Sequence, residues 1–302
     1  MRLVKGILIQ LGVVLLLLLL WGVLIEPRLL DVKQESAAIP QLPRSWEGRQ
    51  IALLADWQVG MWLANTGTMR TATEQVVRLR PAAVLLAGDF IYKAGPNPGG
   101  EIRKVVEILR PLTAAGIPTY AVLGNHDYAL NQRNEPVNRQ MAAQLASALK
   151  GIGIRVLKNQ VAALANPAGG PPLYLAGIGS TWAGEADPVR TVGSLPAGAP
   201  RMVFMHNPHS FAQLPAGTAP LAVAGHTHGG QIRLPTRPNW SWMSLVRDET
   251  VVADGWVNAA YGQPGNRLYV NRGLGFSTMP IRINCRPELT LFTLRRGSAA
   301  NR

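Results

Sequence analysis

Ala82-Ala83-Val84-Leu85-Leu86-Ala87-Gly88-Asp89 decides the fold class. Six apolar residues run into a glycine and a carboxylate. A run this short and this apolar reads as a strand buried on both faces, as in a parallel sheet. On its N-terminal side, Met69–Leu79 has helical spacing and stops at Pro81. Before that, Ile51–Ala55 is another buried run, again closed by a carboxylate, Asp56. On the C-terminal side, Glu101–Leu109 predicts a helix ending before Pro111, and Ile117–Leu123 a strand. Pro136–Lys150 predicts a helix with Met141, Leu145 and Leu149 on one face. Strand and helix alternate, which implies a largely parallel sheet with helices outside. The second half is richer in strand-like runs: Arg155–Asn159, Leu173–Ile178, Met202–Met205, Leu221–Ala224, Leu268–Asn271 and Leu289–Leu294. Helical patterns there are short, and no repeat recurs at a fixed period.

The chain has 302 residues, 47% hydrophobic and 16% charged, which excludes a disordered protein. Its 31 glycines and 23 prolines require many turns. One cysteine, Cys285, excludes an intramolecular disulfide framework. The net charge of +13 favours anionic partners. The cations are scattered singly (Arg70, Arg78, Arg80, Arg103, Lys104, Arg110), so no nucleic-acid partner is expected.

Residues 7–25 read ILIQLGVVLLLLLLWGVLI, without a charge. As a helix this stretch reaches roughly 28 Å, close to the thickness of a bilayer core. Glu26-Pro27-Arg28 follows in place of a small-x-small cleavage site, so residues 1–26 read as an uncleaved transmembrane signal anchor. Residues 27–48, interrupted by Pro27, Pro40 and Pro43, read as a linker. The basic start, Arg2 and Lys5, favours a cytoplasmic N-terminus and a domain on the extracytoplasmic side of a bacterial inner membrane. Arg28 and Lys33 on the other flank leave the reverse orientation open.

Each of the five histidines follows an apolar strand-like run, in a short polar turn. They are His126 in Gly124-Asn125-His126-Asp127, His206 and His209 in His206-Asn207-Pro208-His209, and His226 and His228 in Gly225-His226-Thr227-His228-Gly229-Gly230. Asp56 and Asp89 occupy equivalent places. Loops at strand carboxyl ends are where sites assemble in α/β sheets. Imidazoles, carboxylates and a carboxamide there are the ligands of a di-metal hydrolase.

These motifs resemble the calcineurin-like metallophosphoesterase family over most of the chain, from about Ile51 to Leu294. The run Gly225–Gln231 followed by Pro235, then Asn271-Arg272-Gly273-Leu274-Gly275, Pro280-Ile281-Arg282 and Arg286-Pro287-Glu288, resembles that family's bacterial membrane-associated phosphodiesterases. The resemblance implies a four-layer α/β/β/α sandwich of two mixed sheets over 49–296, with 297–302 as a tail. It implies two divalent ions drawn from Mn, Mg, Fe or Zn. One would be held by Asp56, position 58, Asp89 and His228, the other by Asp89, Asn125, His206 and His226. A hydroxide bridging the metals would attack a phosphodiester or pyrophosphate. His126 and Asp127 are implied as the catalytic pair, His126 facing the substrate and Asp127 orienting it. The substrate class implied is a phosphorylated, lipid-linked molecule, either a phospholipid or a UDP-diacylglucosamine-like compound. The latter needs a domain facing the cytosol.

The family's Asp-x-His is here Asp56-Trp57-Gln58. An amide oxygen is harder and less basic than an imidazole, which favours Mn²⁺ among these ions. Gln58 either coordinates or hydrogen-bonds nearby, and a metal-binding scaffold with weak or no turnover is the alternative reading. His209 reads as either a surface or a supporting residue. The segment Arg233–Gly262, with Trp240, Trp242, Met243 and Trp256, either borders the site and contacts acyl chains or packs these side chains under the loop.

Overall fold

The computed structural model describes residues 1–63, 65–93, 95, 97–235, 237–242 and 254–297. In the first half the strands are β1 (Asp31–Pro40), β2 (Gln50–Leu54), β3 (Ala83–Leu86), β4 (Thr119–Ala121) and β5 (Arg155–Val156). Then come β6 (Gln160–Leu164), β7 (Leu173–Gly177), β8 (Arg201–Phe204), β9 (Ala222–Ala224) and the ribbon β10 (Arg233–Leu234) with β11 (Arg237–Ser241). The last are β12 (Gly255–Trp256), β13 (Leu268–Val270) and β14 (Glu288–Gly297). The helices are α1 (Arg2–Leu20), α2 (Thr66–Leu79), α3 (Gly99–Ala114), α4 (Arg139–Gly151) and α5 (Pro188–Gly193).

Two six-stranded mixed sheets pack face to face, ordered β1-β14-β2-β3-β4-β5 and β12-β13-β9-β8-β7-β6. The strand period of two builds both sides of the first sheet. Ala52, Leu54, Val84 and Leu86 point to helices α2–α4, while Ile51, Leu53, Ala83 and Leu85 point to the second sheet. The outer face of the second sheet is covered by α5 and a 3₁₀ turn over Pro208–Gln213, through Val192, Phe211 and Leu214. The protein is thus a four-layer α/β/β/α sandwich whose second helical layer is thin.

The α2 helix buries Met69, Ala72, Thr73 and Val76, one stripe at helical spacing. It ends where Arg80 turns left-handed (φ 47°) ahead of Pro81. The α3 helix does not stop before Pro111. It runs through to Ala114, because Leu112 continues the buried stripe of Ile102, Val105, Ile108 and Leu109. The α4 helix begins three residues after Pro136, where the Asn138 side chain caps it by accepting from the Met141 N–H at 3.0 Å.

The expectation of a linker over 27–48 is corrected. Asp31–Pro40 is a strand, paired in parallel along its length with β14 from Asp31↔Glu288 to Pro40↔Gly297. Its polarity belongs to an edge strand with one largely wet side, where Ala37 and Ile39 are buried and Val32 packs half-buried against the helix-side core. The expected strand over Arg155–Asn159 shortens to two residues. Helix α1 buries no residue against the rest of the chain and is long and apolar enough to cross a bilayer.

Candidate metal centre

The strands β2, β3, β4, β8 and β9 all end at one rim, and each releases its chain into a short polar loop there. Asp56 follows β2, Asp89 follows β3, Asn125 and His126 follow β4, His206 follows β8, and His226 and His228 follow β9. Asp56, Gln58, Asp89, His226 and His228 all have positive φ, between 50° and 77°. Left-handed turns at non-glycine residues are costly and gather at functional sites. Here they bend the loops after β2, β3 and β9 sharply so that side chains from separate strands converge.

Two groups result, sharing Asp89. Ligand atoms of Asp56, Asp89 and His228 lie within 4.8 Å of one another, and so do those of Asp89, His206 and His226. His206 Nε2 is 3.1 Å from Asp89 Oδ2 and 3.1 Å from Asn125 Oδ1. His226 Nδ1 is 3.2 Å from His206 Nε2, and His228 Nε2 is 3.7 Å from Asp56 Oδ1. The imidazole of His206 is oriented through Nδ1, 2.7 Å from the Ala87 carbonyl, which turns Nε2 inward. The carboxamide of Asn125 donates to the Leu130 carbonyl at 2.9 Å, so its oxygen faces the same space.

Gln58 is fully buried and its Nε2 lies 3.0 Å from Asp89 Oδ2 and 3.4 Å from His228 Nε2. Its Oε1 has no hydrogen-bond partner among the described residues, nor has His228 Nδ1. Rotating the amide exchanges its two ends and sets the oxygen among the first group's ligand atoms.

Electrostatics points the same way. Burial, then the Asp89 charge, pushes the Asp56 carboxyl up to about 7, against the pull of His206. Burial would raise Asp89 too, but His206 and His126 hold it well below the usual carboxylate range. Burial opposes charge on His206, yet Asp89 and Asp56 lift it to about 9. Burial drives His228 well below its ordinary value, aided by the Arg282 charge. Buried acids and imidazoles crowded this closely, with an orphaned amide oxygen, suit two divalent cations. Asp56, Gln58, Asp89 and His228 could hold one, and Asp89, Asn125, His206 and His226 the other.

Asp127, expected to orient His126, makes its hydrogen bonds to the backbone. Its buried carboxylate accepts from the backbone N–H groups of Asp89 (3.0 Å), Phe90 (2.8 Å), Ile91 (3.2 Å) and Gly124 (2.8 Å). Four N–H donors saturate it, and its work is to clamp the Asp89 loop to the Asn125 loop. The ring of His126 is set instead by Tyr92. Its Nδ1 lies 2.5 Å from the Tyr92 carbonyl and the two rings stack at 5.5 Å. His126 is the most exposed of the four site histidines.

His209 is half-buried on the turn after His206 and lies outside both ligand groups. Trp256 is not at the site, because its ring packs edge-on against Tyr269 and Phe292 under the Arg267 guanidinium. Trp240 and Trp242 are half-buried at the β11 end, and Met243 lies outside the described residues.

Several supporting residues escaped the sequence reading. Trp182 meets His226 edge-on at 5.0 Å, and Asn207 Nδ2 reaches Asn125 Oδ1 at 3.5 Å. Neither Tyr92 nor Trp182 has a local signal. Arg282 does, in the Pro280-Ile281-Arg282 run. Its fully buried guanidinium donates to the carbonyls of Arg272 (2.9 Å), Gly273 (3.2 Å), Gly275 (2.6 Å) and His228 (3.4 Å).

Shared carboxylate, flanking imidazoles and layered sheets together define a metal-dependent phosphoester hydrolase. Residues 49–230 match the family model Metallophos, calcineurin-like phosphoesterase, and the chain belongs to that family. It is 34% identical over 221 residues to the phosphodiesterase YaeI of Escherichia coli, covering 72% of each chain. It is 24% identical over 271 residues to the uncharacterized metallophosphoesterase YkuE of Bacillus subtilis, covering 90% of this chain and 87% of that one. It is 24% identical over 316 residues to the UDP-2,3-diacylglucosamine pyrophosphatase LpxG of Chlamydia trachomatis, covering 90% and 91%.

Proposed function

We propose that this protein is a membrane-anchored, two-metal phosphodiesterase acting on a lipid-linked phosphodiester or pyrophosphate. The observation that carries the reading is Asp89, shared between two adjoining ligand groups. Bound there, two divalent ions would polarise the phosphoryl oxygens and acidify water at neutral pH. The Asp89 carboxylate between them would offset the repulsion between two cations. Asn125 would offer a neutral oxygen, which would leave a metal held there more electrophilic.

His126 serves the leaving group. Its Nδ1 must carry a hydrogen to meet the Tyr92 carbonyl, which fixes the ring and leaves Nε2 for the substrate. A protonated His126 donates that Nε2 hydrogen to the departing oxygen. Asp127 acts on the backbone and keeps Asp89 and Asn125 at their spacing.

The apolar helix within residues 2–28 supports an anchor, and the basic start, Arg2 and Lys5, favours a domain outside the cytoplasm. That topology favours a phospholipid-type diester. The likeness to a UDP-diacylglucosamine pyrophosphatase favours a second reading, in which the domain faces the cytosol. A reporter fused to the C-terminus separates the two.

Hydrolysis of bis-p-nitrophenyl phosphate by the full chain with Mn²⁺ tests the chemistry. Asp89→Asn is expected to abolish it, and His126→Ala to lower kcat by about 10²–10⁴-fold with metal content retained. Absence of Mn²⁺-dependent hydrolysis by the unmutated chain would overturn the reading in favour of an inert scaffold, and activity that survives both chelation and Asp89→Asn would overturn the role of the metals.

A further inference from the structure

The membrane helix is not tethered by a slack segment. Its end is built into the mouth of the metal centre. Beyond Leu20 the helix widens into a π turn over Trp21–Ile25, and the Gly22 carbonyl accepts from the Arg282 N–H at 2.9 Å. A side chain at Gly22 has no room, because a Cβ there would meet Ile283 Cγ1 at 2.7 Å. Glu26 is buried, taking the Trp21 indole N–H at 2.7 Å and the Cys285 N–H. The Pro27 carbonyl accepts from Asn65 Nδ2 at 3.2 Å and from Thr68 Oγ1 at 2.9 Å. Asn65 also donates to the Leu274 carbonyl, and the next residue, Gly275, donates its N–H to the Asp56 carbonyl. Arg282, on the Gly22 side, donates to the His228 carbonyl. Contacts from the helix end therefore reach the residues around the metal centre through Asn65, Arg282 and Cys285.

The exposed apolar residues collect at the same place. Among the described residues after Ile25, five large apolar side chains are exposed, and four of them sit beside these contacts: Trp62 (63%), Leu63 (60%), Leu234 (44%) and Met279 (39%). Trp62 and Leu63 are in the loop that carries Gln58, just before Asn65. Leu234 follows Arg233, whose N–H donates to the Ile283 carbonyl at 3.0 Å. The Met279 carbonyl accepts from Gln231 Nε2 at 2.8 Å and lies three residues before Arg282. Single exposed apolar residues need no explanation, but a cluster around an apolar helix does.

We propose that Trp62, Leu63, Leu234 and Met279 form a collar that enters the lipid headgroup and acyl boundary around the exit of the membrane helix. The metal centre then opens onto the bilayer surface and takes phosphoesters of lipids embedded in the same membrane. The proposal rests on the reading of residues 2–28 as a membrane anchor and adds a fixed orientation to it. The occupant is the bilayer, because the collar is continuous with a helix of bilayer length.

The test uses the full chain in phosphatidylethanolamine/phosphatidylglycerol vesicles, with an environment-sensitive fluorophore on Leu63→Cys, Met279→Cys or Val189→Cys. Cys285 is fully buried, so the introduced thiol is the one that labels. Val189, the fifth exposed apolar residue, lies on α5 over the far sheet and is the control. Lipids carrying a shallow nitroxide should quench positions 63 and 279 about threefold or more beyond position 189. In Leu63→Lys/Met279→Lys, turnover of a bilayer-embedded diester relative to bis-p-nitrophenyl phosphate should fall about tenfold. Equal quenching at all three positions, in protein that resists carbonate extraction, overturns the collar while the anchor stands. Extraction by carbonate overturns the anchor and the collar with it. Blue-shifted but unquenched labels at 63 and 279 assign the patch to a second copy of the chain and also overturn the proposal.

Discussion

At position 58 an amide stands where the family uses an imidazole, and its effect is measurable. If the Gln58 oxygen ligates, Gln58→Ala weakens the first metal by about 10–100-fold, and Gln58→His tightens it, as read by calorimetric titration with Mn²⁺. Unchanged affinity in both variants assigns Gln58 to the hydrogen bond with Asp89 alone. Protons report on the same centre. Asp56, held up at about 7, and His206, held up at about 9, must both deprotonate before they can ligate. Affinity therefore rises with pH from 6 through 9, and loading at pH 6 releases about two protons. Calorimetry in two buffers of different ionisation enthalpy counts them, and a count of zero would contradict the protonation scheme. These candidate ligands could be picked out in the sequence because each lies in a short polar turn behind an apolar run. The backbone strain that aims them was not. Nothing in Asp56 or His228 as letters announces a positive φ, which the packing of neighbouring loops imposes.

At the scale of elements, Gly124 joins β4 to Asn125 and presses against the Asp89 loop. A Cβ there would fall 2.6 Å from the Asp89 nitrogen and closer still to its carboxylate. Gly124→Ala should cost about 1–3 kcal/mol of stability, as overpacking does, and remove both metals, as read by thermal melting and metal analysis. The edge strand β1 gives a second case. A chain beginning at Arg49 lacks β1 and bares the β14 edge, so it should aggregate on size-exclusion chromatography, while one beginning at Leu29 stays monomeric. This strand was illegible for a physical reason. An edge strand wet on one side and closed by proline has the composition of a linker, and only its partner, over 240 residues away, distinguishes them. The buried strands β2, β3 and β9 were legible because both their faces are apolar. The run of α3 through Pro111 was not, since one missing N–H near a helix end is outweighed by the buried Leu112.

At the scale of the molecule, the metal centre joins the two sheets. Asp56, Asp89 and Asn125 come from the first, His206, His226 and His228 from the second. Cations held between them would act as cross-sheet links that exist only in the folded state. With metal a thousandfold above its Kd, binding contributes about 4 kcal/mol. Chelation should then lower Tm by roughly 10 °C, reversibly on adding Mn²⁺. A Tm indifferent to chelator would contradict the link. The five left-handed residues at the candidate site have a consequence for anyone who evolves this protein. Each non-glycine residue held at positive φ stores roughly 1–3 kcal/mol, so a selection for heat resistance alone will reward glycine at Asp56, Gln58 or His228. The hardiest clones of such a library should be sturdy, well expressed and catalytically dead.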